Sequence, residues 1–153
     1  MKKRYVTDQE IKRWTHNIVR EINNGSWRPD YVVGLTRGGL APAVLISHYL
    51  DIPMHTLDVS FRDADIGPES NLWMAEDAYG YDNGKSNPEL RKNILIVDDI
   101  NDSGATLDWI RQDWPSSCLP KDPVWNTEIW GHNVRVATLY NNAGSKSITR
   151  VNY

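Results

Sequence analysis

Apolar residues recur at Ile11, Trp14, Ile18 and Ile22, a helical interval that stops at Asn23-Asn24-Gly25. Thr7-Asp8-Gln9-Glu10 just upstream has capping-box spacing, in which the hydroxyl and the carboxylate each satisfy a backbone N–H at the helix start. Together they predict an opening amphipathic helix. Tyr31-Val32-Val33-Gly34-Leu35 is a short apolar run of strand type. Thr36-Arg37-Gly38-Gly39 interrupts it, and residues 40–50 read as a helix with Pro42 tolerated in the first turn. Residues 54–59 alternate as a strand does, whereas residues 60–88 carry many Gly, Asp, Asn and Pro with little periodicity and predict a long loop. Ile94-Leu95-Ile96-Val97 is a continuous run that predicts a strand buried on both faces; residues 98–104 separate it from a helix over 105–114. Residues 115–133 break the pattern with three prolines and two tryptophans, residues 134–139 read as another strand, and residues 147–151 as a weak final one.

Strands alternating with helices predict an α/β fold: an open, mostly parallel, twisted sheet with helices on both faces, in one domain over residues 1–153. Ligands of such sheets bind beyond the carboxyl ends of the strands. Both glycine-containing turns, 36–39 and 98–104, fall there. The 153 residues, 40% of them hydrophobic, suffice for one core, and a formal net charge of -3 offers no general attraction to nucleic acid or anionic membranes. A polar N-terminus and the absence of any bilayer-length apolar stretch lead us to expect a soluble, cytoplasmic protein. The single cysteine, Cys118, has no partner for an intrachain disulfide, and its Ser- and Pro-rich surroundings suggest a loop. His16, His48, His55 and His132 lack metal-ligand spacing.

Candidate chemistry concentrates after the 94–97 run. Asp98 and Asp99 emerge side by side and Asp102 follows, a crowding of like charge that hydroxyl donors or a cation would offset. Vicinal ribose hydroxyls and Mg²⁺ would do both. Ser103-Gly104-Ala105-Thr106 then opens a helix, where unpaired backbone N–H groups and the helix dipole favour an anion, and Gly104 permits close approach. Carboxylates for sugar hydroxyls beside amides for a phosphate describe a ribose 5-phosphate site. The plainer alternative is a turn followed by an N-cap, but one Asp or Ser suffices for a cap and leaves the other carboxylates unexplained. A Walker-type loop would need a Gly-Lys-Ser/Thr after a glycine loop, and the chain has none.

Val97-Asp98-Asp99-Ile100-Asn101-Asp102-Ser103-Gly104-Ala105-Thr106 is similar to the phosphoribosyl diphosphate motif of the type I phosphoribosyltransferases. The earlier turn, with Arg37 and Gly38, resembles the diphosphate loop of the purine-salvage members, in which the peptide before the glycine is often cis. The resemblance covers residues 31 to about 144. It implies that Asp98 and Asp99 hold the ribose 3- and 2-hydroxyls and, directly or indirectly, Mg²⁺. It further implies that Asp102 lies by the nascent glycosidic bond as the catalytic proton acceptor, that Ser103, Gly104, Ala105 and Thr106 hold the 5-phosphate, and that Arg37 and Gly38 hold the diphosphate. Ser60-Phe61-Arg62-Asp63 would begin the family's mobile catalytic loop, with an ordinary insertion as the alternative.

Base recognition departs from the family pattern. Asn141 stands where a lysine usually meets the purine 6-oxo group, and an amide offers a hydrogen bond without the charge. Family members also continue into a tail with a base-stacking aromatic, so with the chain ending at Tyr153 the hood is expected to be reduced or missing. Trp109, Trp114, Trp125 and Trp130 are candidates for that stacking role or, alternatively, for core packing. The implied function is magnesium-dependent transfer of a phosphoribosyl group from phosphoribosyl diphosphate to guanine, xanthine or hypoxanthine in purine salvage. A donor-binding regulator without catalysis, or an enzyme for another nucleobase, remains open. The expected partners are the donor and a nucleobase, with no nucleic acid or membrane, and the resemblance implies a homodimer or higher homo-oligomer.

Overall fold

A computed structural model describes residues 5–59, 72–144 and 149–153. The capping box forms as its spacing predicts. Glu10 N donates to Thr7 Oγ1 (3.1 Å) and Thr7 N donates to Glu10 Oε2 (3.0 Å), starting helix α1, Asp8–Asn24. Strand β1 (Tyr31–Leu35), helix α2 (Leu40–Leu50) and strand β2 (Met54–Leu57) follow. Then come helix α3 (Leu72–Tyr79), short strands β3 (Tyr81–Asp82) and β4 (Lys85–Ser86), strand β5 (Ile94–Asn101), helix α4 (Ala105–Ser117) and strand β6 (Val134–Asn141).

The main sheet is parallel throughout, in the order β2-β1-β5-β6. Strand alternation sorts its side chains onto two helical layers. Val32, Leu95, Val97 and Ala137 pack with Ile18 and Ile22 of α1 and Ala43 and Ile46 of α2. Tyr31, Val33, Leu35, Ile94, Ile96 and Val136 pack with α3, α4 and the segment after it. The run 94–97 is therefore buried on both faces as its composition requires, each such aliphatic side chain contributing ~1.5–3 kcal/mol relative to exposure.

Five expectations need correction. Strand β2 ends at Leu57 rather than at 59, because its partner β1 ends at Leu35, the last register pair being Leu35↔Leu57. Residues 60–88 are not one long loop. Met74, Ala75, Ala78 and Tyr79 bury one face of α3, and Asn83-Gly84 turns the β3–β4 hairpin with both residues at positive φ (50° and 83°). That dipeptide is the usual signature of a two-residue hairpin turn. The expected catalytic-loop start, Ser60 to Asp63, lies outside the described residues. Strand β5 runs to Asn101, not 97, because β6 continues beside it through the pairs Asp98↔Thr138, Ile100↔Tyr140 and Asn101↔Asn141.

The final strand over 147–151 does not form in its described part, 149–151. Thr149 donates from both N and Oγ1 to Asp108 Oδ1 on α4 (3.2 and 2.9 Å), which draws the chain off the line of a strand. Asn152 and Tyr153 instead bond the outer edge of β6, with Asn152 N donating to Val136 O at 2.8 Å. Helix α4 also outruns its expected end at 114, taking Pro115 into its last turn, and the backbone N–H of buried Cys118 closes it on Pro115 O at 3.0 Å.

Trp114, Trp125 and Trp130 are buried in one cluster, Trp125 stacking on Tyr79 at 5.5 Å and Trp130 lying 5.7 Å from Trp114; Trp109 packs against the same cluster. Of the two roles open to the indoles, packing is the one that Trp114, Trp125 and Trp130 take. Among the described residues no helix is long and apolar enough to cross a membrane.

Candidate active site

Strand order places the first connection, β1 to β2, on one side and the next strand, β5, on the other side of β1. The crevice beyond the carboxyl ends of β1 and β5 is thus the topological switch point, where parallel sheets bind ligands. A cavity of about 490 Å³ occupies it, lined by residues 36–38, Val59 and residues 98–107. Arg37 and Gly38 face Asp98, Asp99, Asp102, Ser103, Gly104, Ala105 and Thr106 across this one space.

The β1 side is a tight turn. The Thr36–Arg37 peptide is cis, one bond earlier than the resemblance implied. Gly39 N donates to Leu35 O (2.9 Å) and Ala43 N to Gly39 O (3.0 Å), so the turn passes directly into α2. Two glycines make close approaches here. A Cβ on Gly38 would lie 2.3 Å from Cγ and Oδ2 of Asp99, and one on Gly39 would lie 2.2 Å from Val97 O. The two motif turns therefore touch at Gly38 and Asp99.

On the β5 side, Asp98 is half-buried and Asp99 exposed. Asp99 N donates to Asp98 Oδ1 (2.9 Å), and Ile100 N donates to Asp99 Oδ1 (2.8 Å). Burial pushes the Asp98 carboxyl up to about 7, helped by side-chain hydrogen bonding and charge repulsion from Asp99 and opposed by the Asp99 N–H. Gly104 takes φ 86° to turn the chain into α4, whose first residues line the cavity; Ser103 Oγ accepts from Ala105 N at 3.3 Å. That helix start suits an anion.

Asp102 is exposed, and its Oδ1 accepts from Asn142 Nδ2 at 2.9 Å. Asn141, the expected base contact, is exposed and does not line the cavity itself. It joins it through the buried Asn101, whose Nδ2 donates to Asn141 Oδ1 at 2.8 Å. Asn101 and Asn142 escaped the sequence reading. Asn101 could have been found from alternation, since it shares the parity of the buried Leu95 and Val97 and a buried amide needs a partner.

Among the described residues no group of three or more His, Cys, Asp or Glu is arranged to hold a metal ion. The donors present are two adjacent carboxylates in a cavity open to a polyanionic ligand. This suits Mg²⁺, which binds through one or two carboxylates together with substrate oxygens rather than in an all-protein cage.

The model of the phosphoribosyl transferase domain matches residues 5–113. A xanthine-guanine phosphoribosyltransferase of Cereibacter sphaeroides is 38% identical over 94 residues, covering 61% of this chain and 51% of that protein. The chain spans about half the length of the curated relatives it matches at this level. Among solved structures, a purine phosphoribosyltransferase from Pyrococcus horikoshii superposes with a TM-score of 0.62 at 25% identity, over 97% of this chain and 85% of that one. The xanthine-guanine-hypoxanthine phosphoribosyltransferase of Helicobacter pylori, at 16% identity, shares the fold with a TM-score of 0.61, over 95% of this chain and 81% of that one. The match runs through both turns that meet at Gly38 and Asp99, and the chain belongs to the phosphoribosyl transferase domain family.

Proposed function

We propose that the protein transfers the phosphoribosyl group of phosphoribosyl diphosphate to a 6-oxopurine such as guanine, xanthine or hypoxanthine, releasing diphosphate. The observation that supports this reading is the contact of the Arg37-Gly38 turn with Asp99 across one cavity, because it brings an arginine-bearing glycine turn, a carboxylate pair and a helix start to the same space.

The amides of residues 104–106 and the hydroxyls of Ser103 and Thr106 hold the 5-phosphate at the start of α4. Asp98 and Asp99 accept hydrogen bonds from the ribose hydroxyls. The Arg37 guanidinium and the exposed backbone at Gly38 receive the diphosphate. Asp98 and Asp99 would hold Mg²⁺ together with the bound donor, and the ion would there neutralise charge on the leaving group. As the C1–O bond to diphosphate breaks, positive charge grows on the ribose, and the carboxylates lie where they stabilise it. The base nitrogen forms the new bond to C1, and Asp102 takes the proton that this nitrogen loses. Asn141 hydrogen-bonds the base edge. The family's usual assembly makes a cytoplasmic homodimer or higher homo-oligomer the reading for the whole protein.

The test is turnover with phosphoribosyl diphosphate, Mg²⁺ and, in parallel, guanine, xanthine, hypoxanthine, adenine and uracil, following nucleotide and diphosphate together. Nucleotide from an oxopurine is expected. Donor binding with no nucleotide from any base would replace the enzyme by a donor-binding regulator.

A further inference from the structure

Resting on that reading of Asp102, we propose that Asn142 is a positioning residue that holds this carboxylate for proton transfer. Asp102 sits on the turn between β5 and α4, exposed to solvent, where an unsupported side chain samples several rotamers. One bond limits it: Asn142 Nδ2 donates to Asp102 Oδ1 at 2.9 Å. Among the described residues this is the hydrogen bond that Asp102 makes, and a carboxylate with its remaining acceptor sites can still receive a proton.

The orientation of the Asn142 amide is determined chemically from both ends. A carboxylate oxygen only accepts, so Asn142 must offer its NH₂ to Asp102; Gly144 N only donates, and it bonds Asn142 Oδ1 at 3.0 Å. A flipped amide would lose both bonds. The backbone is anchored as well. Asn142 N donates to Asn101 O at 2.9 Å, and Asn101 Nδ2 reaches Asn141 Oδ1 at 2.8 Å, which ties the end of β6 to the end of β5. The residue expected to meet the base and the residue that steadies the proton acceptor are thus consecutive on one anchored strand end.

Two substitutions separate positioning from simple support of the loop. Asn142→Ala removes the bonds to both Asp102 and Gly144. Asn142→Asp keeps an acceptor for Gly144 N but puts a like charge in place of the donor to Asp102. Positioning predicts that kcat for guanine falls by about 10-fold in Asn142→Ala, less than the ~10²–10⁴-fold that loss of a general base costs, and at least as far in Asn142→Asp. The affinity for phosphoribosyl diphosphate, by calorimetry, should stay within twofold in both. In an Asp102→Asn background, Asn142→Ala should add less than about twofold, because coupled residues are not additive. Near-normal kcat in Asn142→Asp, or full additivity with Asp102→Asn, overturns the inference while leaving the catalytic role of Asp102 in place. Full turnover in Asp102→Asn, or none in the unaltered protein, overturns that underlying role and the inference with it.

Discussion

Replacing Gly38 by alanine should disable the site without unfolding the protein. The new Cβ would lie 2.3 Å from Asp99 Cγ and Oδ2 and 2.5 Å from Oδ1. Reaching an ordinary carbon contact of ~3.5 Å requires the carboxylate to withdraw by about 1 Å. Asp99 is exposed and can swing outward, so the cost to folding is small. The cost to function is larger. A ~1 Å misplacement of a positioning group costs on the order of 100-fold, or ~2.7 kcal/mol. The expected result is a loss of that order in kcat/KM, with a midpoint of thermal unfolding close to the unaltered protein. Gly39→Ala is the contrasting control. Its Cβ would meet Val97 O at 2.2 Å and Leu35 N and O at 2.8 Å, all backbone atoms of the two central strands. Overpacking of this kind costs typically ~1–3 kcal/mol, and each kcal/mol lowers Tm by roughly 2–4 °C in a chain of this size. Paired steady-state kinetics and thermal melts of the two variants decide. A Gly38→Ala protein with normal kcat/KM, or one as destabilised as Gly39→Ala, would refute the contact as a functional one.

Other outcomes follow from single residues. Because the folded Asp98 carboxyl is raised to about 7, by burial first and then by Asp99, its contribution to stability is full below the unfolded value of ~3.9 and is lost as pH rises towards 7. Ligand-free protein should therefore lose Tm between pH 5 and 7 relative to Asp98→Asn, and parallel pH profiles of the two would contradict this. Trp114, with no exposed surface, should cost ~3–5 kcal/mol on replacement by alanine, measured by urea unfolding; a loss under 1 kcal/mol would show that it is not part of the core. Tyr79→Phe should cost about 1.5 kcal/mol near neutral pH, since the hydroxyl donates to the Asp122 carboxylate at 2.5 Å. That bond, with the Val124 N–H, holds the Asp122 carboxyl below its usual range, so the Tyr79→Phe deficit should shrink as pH falls through the folded value; a pH-independent deficit would contradict the pairing.

Much of the architecture was legible because local signals and tertiary demands agree. The capping box at Thr7–Glu10, the doubly buried run 94–97 and the two glycine turns each specify an element without help from distant contacts. The misreadings share a cause. Strand ends depend on partners: β2 stops where β1 turns away, and β5 runs on because β6 follows it. Helix α3 was hidden because only half its eight residues bury, among turn-forming neighbours, although Asn83-Gly84 advertised the hairpin beyond it. At the site, the acidic cluster and phosphate-type turn were readable as chemistry. The partners of the asparagines were not, since the bonds of Asn101 to Asn141 and of Asn142 to Asp102 form only when β5 and β6 lie side by side. The tryptophans were legible only as a choice between ligand stacking and packing, and the burial of Trp114, Trp125 and Trp130 in the cluster that holds Tyr79 assigns those three to packing.

The central claim is that one crevice binds a phosphorylated ribose through Asp98, Asp99 and the start of α4. Titration calorimetry with phosphoribosyl diphosphate and Mg²⁺, on the unaltered protein and on Asp98→Asn/Asp99→Asn, tests it most directly. The account predicts saturable one-to-one binding that weakens at least 100-fold in the double variant. Absence of saturable heat with the unaltered protein, or equal affinity in a folded double variant, would contradict it.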